Sequence, residues 1–172
     1  MSDTLGELGA VLDHVAHGVP SIRRVLPIYR EMLGGTVTAA GISPTGGHLA
    51  VHLSYAGGGR IELMEPLGPD SPSLGAFLRR SPRGGLHHLT FKVSDLAHAL
   101  QVVSARGFDP FGIQLESGSW REAFLHPRQT GGVLIQLAEM GSEPAEPDAS
   151  LEDLLAIAEA SRSGAAREQG SP

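Results

Sequence analysis

Two pairs of segments decide how this chain folds. Leu12-Asp13-His14-Val15 pairs with Leu86-His87-His88-Leu89, and Arg60-Ile61-Glu62-Leu63 pairs with Leu134-Ile135-Gln136-Leu137. His14 and Glu62 stand 48 positions apart, and so do His88 and Gln136. Each of the four polar residues interrupts a hydrophobic, strand-like run. Equal spacing of this kind reads as two copies of one unit, offset by 74 residues. A glycine pair precedes the second segment of each copy, Gly58-Gly59 and Gly131-Gly132.

Both copies read as βαβββ. Strands are predicted at about 11–19 and 86–93, then helices at about 21–33 and 95–106, capped by Ser21 and by Ser94-Asp95. Pro27 predicts a late start or a kink in the first helix. Further strands are predicted at about 36–41, 48–55 and 60–65, then 109–115, 120–126 and 132–139. The fold class is therefore α+β: two βαβββ modules, about 11–67 and 86–139, in a domain spanning 1–140. Strand alternation puts Leu49, Val51, Leu53 and Tyr55 on the helix-packing face and His48, Ala50, His52 and Ser54 on the other. By the same rule Ile61, Leu63, Leu89, Phe91, Val93, Ile135 and Leu137 pack. His14, Glu62, His88, Thr90 and Gln136 face away. If the paired modules curl that face into a cup, His14, Glu62, His88 and Gln136 converge. Two imidazoles, a carboxylate and an amide oxygen suit a divalent first-row metal with open coordination positions.

Composition bounds the rest. The 172 residues are 41% hydrophobic and 19% charged, as in a globular protein. A net charge of −6 argues against a nucleic-acid partner. The absence of cysteine excludes disulfides, Cys–zinc sites and a thiol nucleophile. No apolar run approaches the ~20 residues of a membrane span, and no signal segment is recognisable, so a cytoplasmic protein without membrane contact is expected. Residues 141–149, rich in Pro, Glu and Asp, read as a linker. The acidic tail 150–172 reads as a short helix capped by Ser150, with Leu151, Leu154, Leu155, Ile157 and Ala158 at helical spacing.

Several motifs resemble the vicinal-oxygen-chelate superfamily, the glyoxalase fold, and within it the methylmalonyl-CoA epimerase family. They are Leu12-Asp13-His14-Val15-Ala16, Ile61 through Gly68, Asp70-Ser71-Pro72, Gly84-Gly85-Leu86-His87-His88, Phe124-Leu125-His126-Pro127 and Gly132 through Leu137. The resemblance implies that His14, Glu62, His88 and Gln136 hold a divalent metal ion (Co2+, Mn2+, Zn2+, Ni2+ or Fe2+). The metal would chelate an anionic acyl-CoA or related dicarbonyl acid and stabilise its enolate. It further implies a homodimer and an epimerase, or a divergent isomerase or lyase. A glutathione-hemithioacetal isomerase of the lactoylglutathione-lyase type and a non-catalytic small-molecule binder of the same fold are the alternatives.

One departure matters. The family normally has Glu where Gln136 stands, and a second Glu on the strand that here runs 48–55, which contains no acid. An amide cannot accept a proton near neutral pH. His52, His48 and Glu122 are therefore the candidate proton carriers, with His52 favoured over His48. His17 and His87 read as structural groups, His98 and His126 as surface or turn residues. Arg79, Arg80 and Arg83 read either as a site for CoA phosphates or as a solvated loop.

Overall fold

The structure is a computed structural model that describes residues 6–43, 45–116, 120–140 and 149–168, with the side chains of 164–168 left aside. The predicted linker, apart from Ala149, lies outside the described residues. The strands are β1 (Val11–Gly18), β2 (Thr36–Ser43), β3 (His48–Ser54), β4 (Arg60–Pro66), β5 (Gly85–Lys92), β6 (Pro110–Gln114), β7 (Trp120–Leu125) and β8 (Leu134–Met140). The helices are α1 (Ile22–Pro27), α2 (Gly75–Arg80), α3 (Leu96–Ala105) and α4 (Leu151–Glu168). All eight strands belong to one mixed sheet of order β2-β3-β4-β1-β5-β8-β7-β6, the α+β topology expected of two βαβββ modules.

The chain divides into two compact units. The N-module holds residues 16–87 and the C-terminal segment with α4; the C-module holds the first half of β1 and the chain from His88 through β8. In the N-module, β2, β3 and β4 are antiparallel, with His52 directly opposite Glu62. Leu49, Val51, Leu53 and Leu63 are fully buried against Ile22 and Leu26 of α1. In the C-module, β6, β7 and β8 are antiparallel and β5 runs parallel to β8, with Thr90 beside Gln136. Its core joins Val93, Leu96, Ala99 and Val103 to Ala123, Leu125 and Leu137.

The duplication reaches individual hydrogen bonds. Val19 N–H donates to the Met64 carbonyl at 2.8 Å, and its counterpart Val93 donates to Ala138 at 2.9 Å. Ile22 N–H, at the start of α1, donates to Glu65 Oε2 at 2.6 Å. Leu96 N–H, at the start of α3, donates to Glu139 Oε2 at 2.9 Å. Each helix is thus anchored by a carboxylate from the last strand of its own module, which satisfies a backbone donor the helix cannot. The predicted Ser21 cap is not made: Ser21 has no side-chain cap bond, and Glu65 holds the helix start instead. Asp95 does cap α3, accepting from His98 N–H at 2.9 Å.

Pro27 accounts for the shortness of α1. Without an N–H it cannot continue the ladder, and residues Ile28–Met32 wind as a π-helix, with Leu33 N–H reaching the Ile28 carbonyl at 3.0 Å. The Gly84-Gly85 turn requires glycine: Gly84 has φ +87°, and a Cβ there would lie 2.5 Å from the Gly18 carbonyl oxygen.

The tail helix α4 has 18 residues and starts in a reciprocal cap. Asp153 N–H donates to Ser150 Oγ, and the Ser150 hydroxyl donates to Asp153 Oδ2. Leu154, Leu155 and Ala158 enter the N-module core, whereas Ile157 remains exposed. Arg162 Nε lies 2.9 Å from Glu65 Oε1, so the carboxylate that anchors α1 is also tied to α4. Burial pushes the Glu65 carboxyl above its usual range, opposed by Ile22 N–H and Arg162. A raised folded-state value means that its contribution to stability is complete below the ordinary carboxylate range and declines as pH rises through the shifted value. Arg162 favours the ionised form, so its loss is felt when Glu65 is charged. Arg162→Ala is expected to cost about 1–3 kcal/mol at pH 8, less than the 3–5 of a fully buried pair, and distinctly less at pH 4.5. Urea unfolding at the two pH values measures the difference.

Candidate active site

In the C-module, two of the four expected ligand residues, His14 and Gln136, meet at one hydroxyl, and a third, His88, packs on the His14 ring. Thr90 is fully buried, and His14, His88 and Gln136 are each less than a tenth exposed. Thr90 Oγ1 lies 2.9 Å from His14 Nε2 and 2.6 Å from Gln136 Oε1. The His14 and His88 rings meet edge to face, with centroids 5.9 Å apart. His14 Nδ1 donates to Asp13 Oδ2 at 2.7 Å, and Lys92 Nζ pairs with Asp13 Oδ1 at 3.0 Å. On the other side, Gln136 Nε2 donates to Glu122 Oε2 at 2.6 Å, which also accepts from Trp120 Nε1 at 2.8 Å.

Asp13 fixes Nδ1 of His14 as the donor end of that ring. Glu122 fixes the NH2 end of the Gln136 amide, which turns the carbonyl oxygen toward Thr90. Thr90 has a single proton. If it goes to Gln136 Oε1, the Thr90 oxygen faces His14 Nε2 without a proton between them unless Nε2 carries one. A cation on Nε2, whether a proton or a metal, resolves the conflict. A metal-binding imidazole whose other nitrogen donates to a carboxylate has this same arrangement. Oxygen and imidazole nitrogen donors of this kind fit a divalent first-row metal.

In the N-module, Glu62 is buried, and its Oε1 lies 3.7 Å from Nε2 of the half-buried His52. His48 is buried at the start of β3. Its Nδ1 is 2.9 Å from Ser73 Oγ, whose own proton goes to the Gly46 carbonyl at 2.8 Å. With the Ser73 proton on the Gly46 carbonyl, which also accepts from Ser71 Oγ at 3.0 Å, His48 Nδ1 is the donor and Nε2 carries the lone pair of a base. Gly46 must lack a side chain here, since a Cβ would lie 2.4 Å from the His48 ring.

The remaining histidines have other partners. His87 Nε2 donates to the Ser73 carbonyl at 3.2 Å and its ring meets Phe77 edge to face; burial holds its imidazole below the usual range. His17 Nδ1 contacts the Tyr29 hydroxyl at 2.6 Å, and burial lowers it too. His98 and His126 are exposed. Arg79, Arg80 and Arg83 are exposed at or just after α2.

Sequence reasoning placed Thr90 on the ligand face but gave it no role. Its signal was a polar residue two positions from His88, on the same face of the strand. Glu65 and Glu139 were missed although they too stand 74 positions apart.

The family model of the Glyoxalase/Bleomycin resistance protein/Dioxygenase superfamily matches residues 13–124. The chain belongs to this superfamily, whose vicinal-oxygen-chelate fold its eight-stranded α+β sheet reproduces. Within it, the chain is similar to the ethylmalonyl-CoA/methylmalonyl-CoA epimerase of Cereibacter sphaeroides, at 33% identity over 132 residues, or 75% of this chain and 97% of that protein. The mitochondrial methylmalonyl-CoA epimerase of Homo sapiens is 32% identical over 130 residues, 74% of this chain and 73% of that one. The crystal structure of methylmalonyl-CoA epimerase from Mycobacterium tuberculosis matches with a TM-score of 0.70 at 27% identity, covering 82% of this chain and 93% of that one.

Thr90→Val keeps the shape and removes the hydroxyl, taking a donor from the buried Gln136 Oε1 and a contact from His14 Nε2. It is expected to destabilise the protein by about 1–3 kcal/mol, and Thr90→Ser by less, as read from denaturant midpoints.

Proposed function

We propose that this protein is a metal-dependent epimerase acting at the α-carbon of an acyl-CoA that bears a second, carboxylate oxygen, with methylmalonyl-CoA as the first substrate to test. The observation that carries the reading is the buried cluster of His14, His88 and Gln136, whose imidazole nitrogens and amide oxygen are the donor types a divalent first-row metal takes. The 74-residue symmetry supports Glu62 as the fourth ligand to His14, His88 and Gln136, and the epimerases among its relatives support the substrate class. A divalent metal held by these residues would supply a Lewis acid that acidifies the α-C–H of a chelated substrate.

The chain's own residues must then move the proton. His48, whose donor–acceptor count leaves a lone pair on Nε2, is the base this geometry favours; His52, opposite Glu62, is the alternative. Exposed Arg79, Arg80 and Arg83 offer charge-assisted hydrogen bonds to the phosphates of CoA. A second reading, a binding protein without turnover, is favoured by one fact: neither β3 nor position 136 carries the acid its relatives' resemblance implies.

The test is solvent deuterium exchange into methylmalonyl-CoA by protein loaded with Co2+. Exchange with epimer interconversion is expected. His14→Ala and His88→Ala should lose stoichiometric metal, by elemental analysis, together with exchange. His48→Gln should keep the metal and slow exchange by about 10²–10⁴-fold, the range of a positioned general base. If His48→Gln is unaffected and His52→Gln is slowed with its metal intact, the base is His52. Absence of exchange at full metal occupancy would overturn the epimerase and leave the binding protein.

A further inference from the structure

Gln136 replaces the acid expected of the family, yet a carboxylate lies one hydrogen bond away. Glu122 sits on β7, one strand over from Gln136 on β8, and its Oε2 accepts from both Gln136 Nε2 at 2.6 Å and Trp120 Nε1 at 2.8 Å. An amide has two chemically different ends of nearly the same shape. Only the carbonyl end can ligate a metal or accept from Thr90; the NH2 end would turn two hydrogens toward the Thr90 hydroxyl and the positive site beyond it. A carboxylate is acceptor-only, so it tolerates only the NH2 end of its neighbour. Thr90, at 2.6 Å from Oε1, meets the opposite end.

We infer that Glu122 is a positioning residue that locks the Gln136 amide with Oε1 toward His14, making Gln136 a neutral oxygen ligand and moving the negative charge from the ligand to its hydrogen-bond partner. The inference rests on the metal-centre reading above. It gives Glu122 a role other than the base role left open by the sequence, because it acts through Gln136 rather than on substrate. It also explains why the acid is absent from position 136: with Glu122 in place, a glutamate there would set two carboxylate oxygens against each other at hydrogen-bond distance. The two positions should therefore be exchangeable as a pair but not singly.

The experiment is a Co2+ titration of the full chain, read by its visible absorption spectrum and by the dissociation constant, with urea midpoints as a control for folding. Glu122→Gln keeps shape and the Trp120 acceptor but accepts either orientation of Gln136. It is expected to weaken Co2+ binding by about 10–100-fold, the range for lost outer partners of ligands, and to change the spectrum. Gln136→Glu alone should destabilise the fold. The swap Glu122→Gln with Gln136→Glu should recover both the midpoint and Co2+ binding relative to Gln136→Glu alone. Unchanged affinity and spectrum in Glu122→Gln, or a swap no better than Gln136→Glu, would overturn the inference while leaving the metal centre intact. Failure of the unsubstituted protein to bind Co2+ would overturn the metal centre and this inference with it.

Discussion

The single proton of Thr90 constrains the C-module. Its oxygen stands between an imidazole nitrogen and an amide oxygen, and the far end of each partner is already fixed, by Asp13 and by Glu122. With the Thr90 proton on Gln136 Oε1 and His14 Nδ1–H on Asp13, a proton or a metal ion at His14 Nε2 completes the second contact. A buried polar network left half-satisfied is costly, so the arrangement makes physical sense around a cation. That constraint links the hydrogen bonds of the strands to the chemistry proposed for them.

The backbone that presents these groups is held by a device repeated in each module. A carboxylate from the last strand grips the first N–H of the helix, the buried Glu65 for α1 and the half-buried Glu139 for α3. The second carboxylate oxygen is tied differently: Glu139 Oε1 pairs with Arg121 of β7 at 3.0 Å, Glu65 Oε1 with Arg162 of α4. The N-module thus uses the tail helix where the C-module uses its own sheet. Leu154, Leu155 and Ala158 strengthen that link by entering the N-module core.

Much of this was legible in the sequence, because it followed from local periodicity and from the repeat. The 48-residue spacing gave the βαβββ duplication, and alternation correctly separated Leu49, Val51 and Leu53 from His48 and His52 on β3. Sequence reading failed where a contact spans many residues. Ser21 looked like a cap because the residue type is right, but Glu65, 43 positions beyond Ile22, takes that place. Helix α2 was not foreseen, since a six-residue helix carries little periodic signal. The division of labour between Glu122 and Gln136 was equally hidden, because it depends on which end of an amide faces a neighbouring strand.

The function proposed here asks histidines to move the proton, and Glu122 to hold the glutamine that stands where the family resemblance implies an acid. Everything in it turns on whether His14 and His88 take up a metal. Long-range 1H–15N correlation spectra of the imidazoles, recorded while Zn2+ is added, measure this directly. The account predicts that His14 Nε2 shifts to a metal-bound position, complete at one equivalent, while Nδ1 stays protonated on Asp13, and that His88 responds at the same point. Imidazole resonances of His14 and His88 that stay unmoved through several equivalents of Zn2+ would contradict it.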